Sequence, residues 1–290
     1  MALDLALTFL SRSMLVSRIF RLMPSLLCSI GLMTLATGVR ADNILVVNGL
    51  SVSSEPNTVI DITDNLQATC FLPTDTVTVS DTPPASLTGY DQIWDIRYSD
   101  ASPLSVADQA AYTAFLQSGK KMFVMGEQDS FMTRNTSILD WIDDLGGGTL
   151  TFDASAASTQ TVNPPYNTTP NVLTSVTYDK PGGVTTPGTG QWITNNGASG
   201  SAVMWTTGTL GNATAGALAA VFDVNFMQAA APGNPLFLKN LCAAVAAGGY
   251  SIPTTASPAA VPVGGGWWGL LLSLALATLA AFGWRRKSRA

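Results

Sequence analysis

The sequence predicts an α/β fold, a mainly parallel sheet with helices on both faces. Three observations carry that prediction. Short, wholly apolar runs recur along the first half of the chain, as expected of strands buried on both faces. Segments with helical spacing lie between them, each bounded by start and stop residues. The resulting order, β-α-β-β-α-β-α, is that of a sheet built from crossover connections.

The first predicted strand is Ile44-Leu45-Val46-Val47, closed by Asn48-Gly49. Ser53 and Ser54 ahead of Glu55-Pro56 mark a helix start, and Val59, Ile62 and Leu66 then fall on one helical face. Thr76 to Ser80 alternates Thr and Val and reads as a second strand, and Tyr90 to Ile96 as a third. Pro103 and Ser105 open a second helix running through Leu116 to a stop at Gly119, with Ala107, Ala110, Ala111, Ala114 and Phe115 expected on its inward side. Lys121 to Gly126 is the next strand, and Ser130 to Leu145 a helix stopped by Gly146-Gly147-Gly148. From 149 to 196, Thr, Asn, Pro and Gly dominate, with short β-like pieces such as Leu173 to Tyr178. This stretch reads as a β-rich excursion from the same domain. Strands resume at Ala202 to Trp205 and Ala217 to Phe226, and a last helix covers Pro235 to Ala247.

The two ends have a different texture. Arg12, Arg18 and Arg21 precede an apolar stretch from Leu22 to Val39, and Val39-Arg40-Ala41 suits cleavage after Ala41, so residues 1–41 read as a secretory signal. Residues 251–266 form a Pro/Ala/Thr-rich linker ending in Gly264-Gly265-Gly266. Trp267 to Trp284 then gives 18 uncharged residues, just enough to span a hydrocarbon core, before a basic tail at 285–290. Trp267, Trp268 and Trp284 sit at the ends of that span, where amphipathic rings belong, and Arg285-Arg286 should remain cytoplasmic. The expected body, residues 42–250, therefore lies outside the cytoplasm.

Composition excludes several functions. The chain has no His, so neither a Ser-His-Asp or Cys-His nucleophile site nor a His zinc site can be built from it. Between Asp42 and Tyr250 there are 6 Lys and Arg against 18 Asp and Glu, a balance of −12 that argues against nucleic-acid binding. Cys70 and Cys242 are the only cysteines after Ala41, a candidate disulfide in an oxidising compartment, the alternative being two buried thiols.

Two resemblances extend this reading. Val261-Pro262-Val263-Gly264-Gly265-Gly266-Trp267-Trp268, a short span and then Trp284-Arg285-Arg286-Lys287 resemble the C-terminal sorting tails of Gram-negative bacteria, the PEP-CTERM, IPTL-CTERM and GlyGly-CTERM types. The chain lacks Pro-Glu-Pro and Ile-Pro-Thr-Leu, and its Gly run is short. The resemblance implies a sorting enzyme that recognises and removes the tail; a plain tail anchor is the alternative. In the body, Tyr90-Asp91-Gln92-Ile93-Trp94, the step from Ala114 to Val124, and Ala220 to Met227 followed by Asn234 and Leu236 to Leu241 resemble class I glutamine amidotransferase-like domains, which are flavodoxin-like in fold. Catalytic members carry a Gly-x-Cys-x-Gly elbow after the strand matching Met122 to Gly126, with a downstream His and Glu. Here the run is Gly126-Glu127-Gln128-Asp129-Ser130, so the resemblance implies a scaffold without amidotransferase activity.

The remaining chemistry is carboxylate chemistry. Asp95, Glu127, Asp129 and Asp223 lie in or just after predicted strands, so several are expected at the carboxyl edge of the sheet, where open α/β sheets bind ligands. They are candidates for Ca²⁺ or Mg²⁺ ligation or for glycosidase-like acid–base work; the alternative is loop capping and a solvated turn. Ser130 lacks the Gly-x-Ser-x-Gly setting and a base. Of the aromatics Trp94, Tyr98, Trp141, Tyr166, Trp192 and Trp205, the expected exposed sugar contacts are Tyr166 and Trp192, with Trp94 and Trp205 in the core. The expected function is non-enzymatic binding or structural work in the cell envelope or an extracellular matrix, with polysaccharide or protein as partner. The alternatives are a carboxylate-dependent hydrolase acting on envelope carbohydrate and a membrane-anchored periplasmic scaffold.

Overall fold

A computed structural model of the chain describes residues 41–223, 225–229 and 234–250. The expected signal, linker, sorting tail and membrane span lie outside the described residues. No helix among the described residues is long and apolar enough to cross a membrane. The compact unit holding every described element begins at Asp42.

The first half follows the predicted order. Strand β1 (Asn43–Val47) leads into α1 (Pro56–Cys70), whose Pro56 occupies the first turn, where a missing N–H costs nothing. Strands β2 (Thr76–Ser80) and β3 (Gln92–Asp95) follow, then α2 (Val106–Gln117), capped by the Ser105 hydroxyl accepting from the Asp108 N–H. Gly119 ends that helix with φ of 84°, a left-handed conformation that favours glycine. Strand β4 (Lys121–Gly126) leads through a short 3₁₀ turn (Asp129–Phe131) into α3 (Met132–Asp144). After β5 to β10, described below, β11 (Ala217–Phe222) and α4 (Asn234–Ala247) complete the body.

Two local expectations are corrected. On α2 the buried residues are Tyr112, Phe115 and Leu116, while Ala107, Ala110 and Ala114 are exposed. Those alanines report helix propensity, not a core stripe. The last strand stops at Phe222, not Phe226, and the chain turns at Asp223 into a 3₁₀ segment at Asn225–Met227.

The sheet itself is mixed, which corrects the expectation of a mainly parallel one. Its nine strands run in the order β2-β1-β3-β4-β11-β10-β9-β6-β7. The pairings from β2 to β11 are parallel, and those from β11 onward through β10 (Ala202–Trp205), β9 (Gln191–Asn195), β6 (Thr159–Val162) and β7 (Ser175–Thr177) are antiparallel. The excursion at 149–196 thus supplies three strands of the main sheet. Its β5 (Phe152–Asp153) and β8 (Gly183–Val184) form a separate two-stranded ribbon.

Helices cover both faces. On one, Ile44, Val46, Trp94, Phe123, Met125, Ala219 and Val221 pack with Val59, Ile62 and Leu66 of α1 and Phe237, Leu238 and Leu241 of α4. On the other, Leu45, Val47, Ile93, Met122, Val124, Ala220 and Phe222 pack with α2 and α3. Cys70 at the end of α1 is bonded to Cys242 in α4, with Cα atoms 5.2 Å apart. Trp94 and Trp205 are core residues.

Candidate functional site

Strand alternation sorts the candidate acids before any contact is considered. Successive side chains point to opposite faces. Asp95 shares its parity with Ile93 and so faces α2 and α3. Glu127 continues the Phe123–Met125 parity and Asp223 the Ala219–Val221 parity, both toward α1 and α4.

Asp95 is fully buried and committed. Arg97 grips it with two arms, Nε to Oδ1 at 3.0 Å and Nη2 to Oδ2 at 2.6 Å. Arg134 of α3 donates to Oδ1 at 3.1 Å, and the Tyr112 hydroxyl donates to Oδ2 at 3.0 Å. Arg97 also reaches Asp108, and Arg134 reaches Asp100. Burial on its own would raise the Asp95 pKa, but the two guanidinium charges and these hydrogen bonds hold it down at about 2. Asp95 is therefore a structural counter-ion.

Asp129 is exposed on the 3₁₀ turn, and Ser130 beside it is exposed as well. Neither lines the cavity described below. Among the described residues, no group of three or more His, Cys, Asp or Glu is placed to hold a metal ion. Asp95, Glu127 and Asp223 thus reach the carboxyl edge, where several acids were expected, but they divide between the two faces and leave a smaller arrangement around a cavity.

That arrangement centres on Glu127. A cavity of about 60 Å³ opens at the carboxyl ends of β3, β4 and β11, lined by Glu55, Tyr98, Ser99, Glu127, Gln128, Phe131, Lys180 and Asn225. It lies beside the point where the chain switches from β2, on one side of β1, to β3 on the other, the usual place for a ligand in an open α/β sheet. Glu127 sits directly after Gly126, where a Cβ would strike the Phe222 ring and the Asn135 amide, so only glycine lets the strand end so close to β11. Asn135 of α3 clamps the turn: its Oδ1 accepts from the Glu127 N–H at 2.8 Å, and its Nδ2 donates to the Glu127 and Gln128 carbonyls at 2.8 and 3.0 Å.

The Glu127 side chain is 5% exposed. One carboxyl oxygen accepts from the Ser99 N–H at 2.9 Å. Ser99 holds φ of 59°, unusual for a residue with a Cβ, and its hydroxyl is 2.8 Å from that of Ser54. Tyr98 donates to Glu55 Oε2 at 3.1 Å across the cavity. Burial pushes Glu127 up to about 7; the Ser99 N–H opposes this, the Asp223 charge adds to it, Arg134 opposes it, and Glu55 adds to it. Asp223, buried behind the cavity, is raised to about 6, again mainly by burial, against backbone donors from Asn225 and Lys180. Burial and the Glu55 carboxylate hold the Tyr98 phenol above its ordinary range.

Of the acids expected from sequence, Glu127 lines the cavity and Asp223 acts on it through its charge without lining it, whereas Glu55, Ser99, Lys180 and Asn225 were not expected there. Glu55 read only as a helix start, and Tyr98 only as one aromatic among six. The signal available was position, since Tyr98, Glu127 and Asn225 each follow a strand of the parallel half within three residues and Glu55 opens the helix after β1. Tyr166, expected as an exposed sugar contact, is fully buried, and Trp192 is half-buried against the α2/α3 core.

Fold and cavity together define an α/β protein with an acidic pocket at the carboxyl edge of a mixed sheet. No protein-family model matches the chain, and no curated protein does. Among solved structures it is similar to the mmIFT52 N-terminal domain, with 11% identity, TM-score 0.49, and coverage of 68% of this chain and 93% of that one. It is also similar to ThuA-like proteins from Bacteroides uniformis and Parabacteroides merdae. The first shows 12% identity and TM-score 0.46, covering 71% of this chain and 92% of that one. The second shows 8% identity and TM-score 0.45, covering 74% and 94%.

Proposed function

We propose that the chain is an exported protein, sorted through its C-terminal tail, whose α/β body binds a small polar group in the envelope or an extracellular matrix and does not turn it over. The body is read as an amidotransferase-like scaffold that has lost the nucleophile of the catalytic members. One observation carries the binding reading. The residue presented after β4 is a buried carboxyl, Glu127, in a pocket also lined by the Glu55 carboxylate, the Tyr98 and Ser99 hydroxyls, the Gln128 and Asn225 amides, Lys180 and the Phe131 ring. The hydroxyls lining it belong to Tyr98 and Ser99, whose partners are Glu55 and Ser54. No histidine exists to serve as their base. Hydroxyl, amide and carboxylate groups around an apolar ring are the donors and acceptors that saccharide hydroxyls require. The Cys70–Cys242 bond supports export, since such bonds persist in oxidising compartments.

Screening the purified full-length chain against envelope saccharides should give saturable binding that Tyr98→Phe weakens, with no release of reducing ends. Release of reducing ends that disappears in Glu127→Gln would replace this reading with the hydrolase. Intact-mass measurement of the protein recovered from cells should show a chain beginning at Asp42 and lacking the residues beyond about Gly264. A retained tail would rule out sorting by tail removal.

A further inference from the structure

We propose that the Glu127 pocket is a receptor for a protonated primary amine carried on a polyhydroxylated ligand, an amino sugar. This rests on the binding reading above and specifies its ligand. Two independent features point to a cation. The first is the lining, in which the carboxylates of Glu55 and Glu127 face one cavity with Asp223 buried behind. The second is an unmet hydrogen-bonding need. Glu127 is 5% exposed, yet only one of its oxygens accepts a hydrogen bond, from Ser99; among the described residues none is donated to the other. That second oxygen is not sealed off from the cavity, so it stands there as an acceptor open to a donor.

The protein's own cations do not supply that donor. Arg134 of α3 acts on Glu127 only through its charge: its Nη atoms are bonded to Asp95 and Asp100, and its buried Nε donates to no group among the described residues. Lys180 is exposed at the rim and forms no ion pair with Glu55 or Glu127 among the described residues. A divalent metal is disfavoured, because no three-ligand group is present among those residues. An ammonium fits instead. It brings three N–H donors to acceptors on Glu127, Glu55 and the Tyr98 and Ser99 oxygens. Each water takes up roughly 30 Å³ of liquid, so a cavity of about 60 Å³ admits the ammonium and its first carbon while the rest of the ligand stays at the mouth. There Gln128, Asn225 and Lys180 can meet hydroxyls, and Phe131 offers an apolar surface to a ring face. A flexible alkyl amine such as a lysine side chain would leave those groups unused.

The test is ligand-observed NMR on the full-length chain with four probes: ethanolamine, ethylene glycol, glucosamine and glucose. Ethanolamine should bind where ethylene glycol does not, and glucosamine should bind at least tenfold more tightly than glucose. Glu127→Gln keeps an acceptor for Ser99 and should abolish the preference for the amine, with its melting curve checking that it is folded. The charged and titratable groups around Glu127 are Glu55 before α1, Tyr98 after β3 and Lys180 in the cavity lining, with Arg134 on α3 and Asp223 after β11 acting on it through their charge, and burial raises Glu127 to about 7. Ethanolamine stays cationic throughout, so its affinity should fall about tenfold from pH 8 to pH 6 as Glu127 takes up a proton. Equal binding of glucose and glucosamine would overturn the amine inference and leave the binding reading standing. Lysine amide binding as tightly as glucosamine would overturn the amino-sugar assignment. Failure of every saccharide, neutral or amine-bearing, would overturn both.

Discussion

Replacing Glu127 by Gln should make the protein more stable at neutral pH. The folded chain holds this carboxyl at about 7, against an ordinary 4.5, because burial disfavours its charge. The native state therefore binds the proton more tightly than the unfolded chain does. The stabilisation is fully present below pH 4.5 and is lost as pH rises through 7. At about 1.4 kcal/mol per tenfold change, the gap corresponds to roughly 3 kcal/mol of instability at pH 8. Gln carries no charge to desolvate, and its Oε1 still accepts from Ser99. Its Nε2 adds a donor that the cavity must accommodate, so the expected gain is about 1–3 kcal/mol. For a body of this size that is ~3–10 °C in melting temperature. Melting curves of the full-length parent and variant from pH 4.5 to 8.5 should coincide at the acid end and separate progressively above pH 6. A variant that melts at or below the parent at pH 8 would refute the reasoning, because it would mean that Glu127 is neither desolvated nor a cost to the fold.

Three further outcomes follow from the same contacts. Asp95→Asn leaves Arg97 and Arg134 without their shared counter-ion and should cost about 3–5 kcal/mol, read as a lower melting temperature at pH 7. In the parent, the Asp95 contribution is present above pH 3.8 and disappears as pH falls through about 2, so acid melts of the variant should flatten over that window. Cys70→Ser removes a cross-link between residues 172 positions apart, worth up to about 5 kcal/mol by chain entropy; a reductant should lower the melting temperature of the parent and not of the variant. Gly126→Ala drives a methyl against Phe222 and the Asn135 clamp and should destabilise by about 1–3 kcal/mol, with a retained melting temperature contradicting the close approach of β4 to β11.

The parallel half was legible because its signals are local and strong. Strands β1 and β11 are apolar nearly throughout, since both faces are covered, and Gly119 and Gly146 stop helices at positive φ. The antiparallel half was not legible as part of the main sheet. Thr159 to Val162 and Ser175 to Thr177 are short, polar and half-exposed, and nothing in their composition says that they hydrogen-bond beyond β9. Tyr166 was misplaced for a related reason. Its surroundings in sequence are polar, but its burial comes from distant partners, with the tilted Tyr250 ring 5.9 Å from its own and Asn240 donating to its carbonyl.

The site shows how far a two-residue period reaches. Asp95 and Arg97 are two positions apart in extended chain and so point the same way, which makes their pairing a local event readable without a structure. The same period, counted from the apolar runs, puts Asp95 on the face of Ile93 and Val124, and Glu127 and Asp223 on the face of Phe123 and Val221. Position along the strands brought all three acids to one edge of the sheet; parity then divided them between its two faces. On the α2/α3 side, two arginines neutralise the acid and make it structure. On the α1/α4 side Lys180, the one cation lining the pocket among the described residues, is exposed, and burial keeps Glu127 and Asp223 at raised pKa values. The face a buried acid points to thus decides whether arginines neutralise it, and the arginines are what make the two faces unequal.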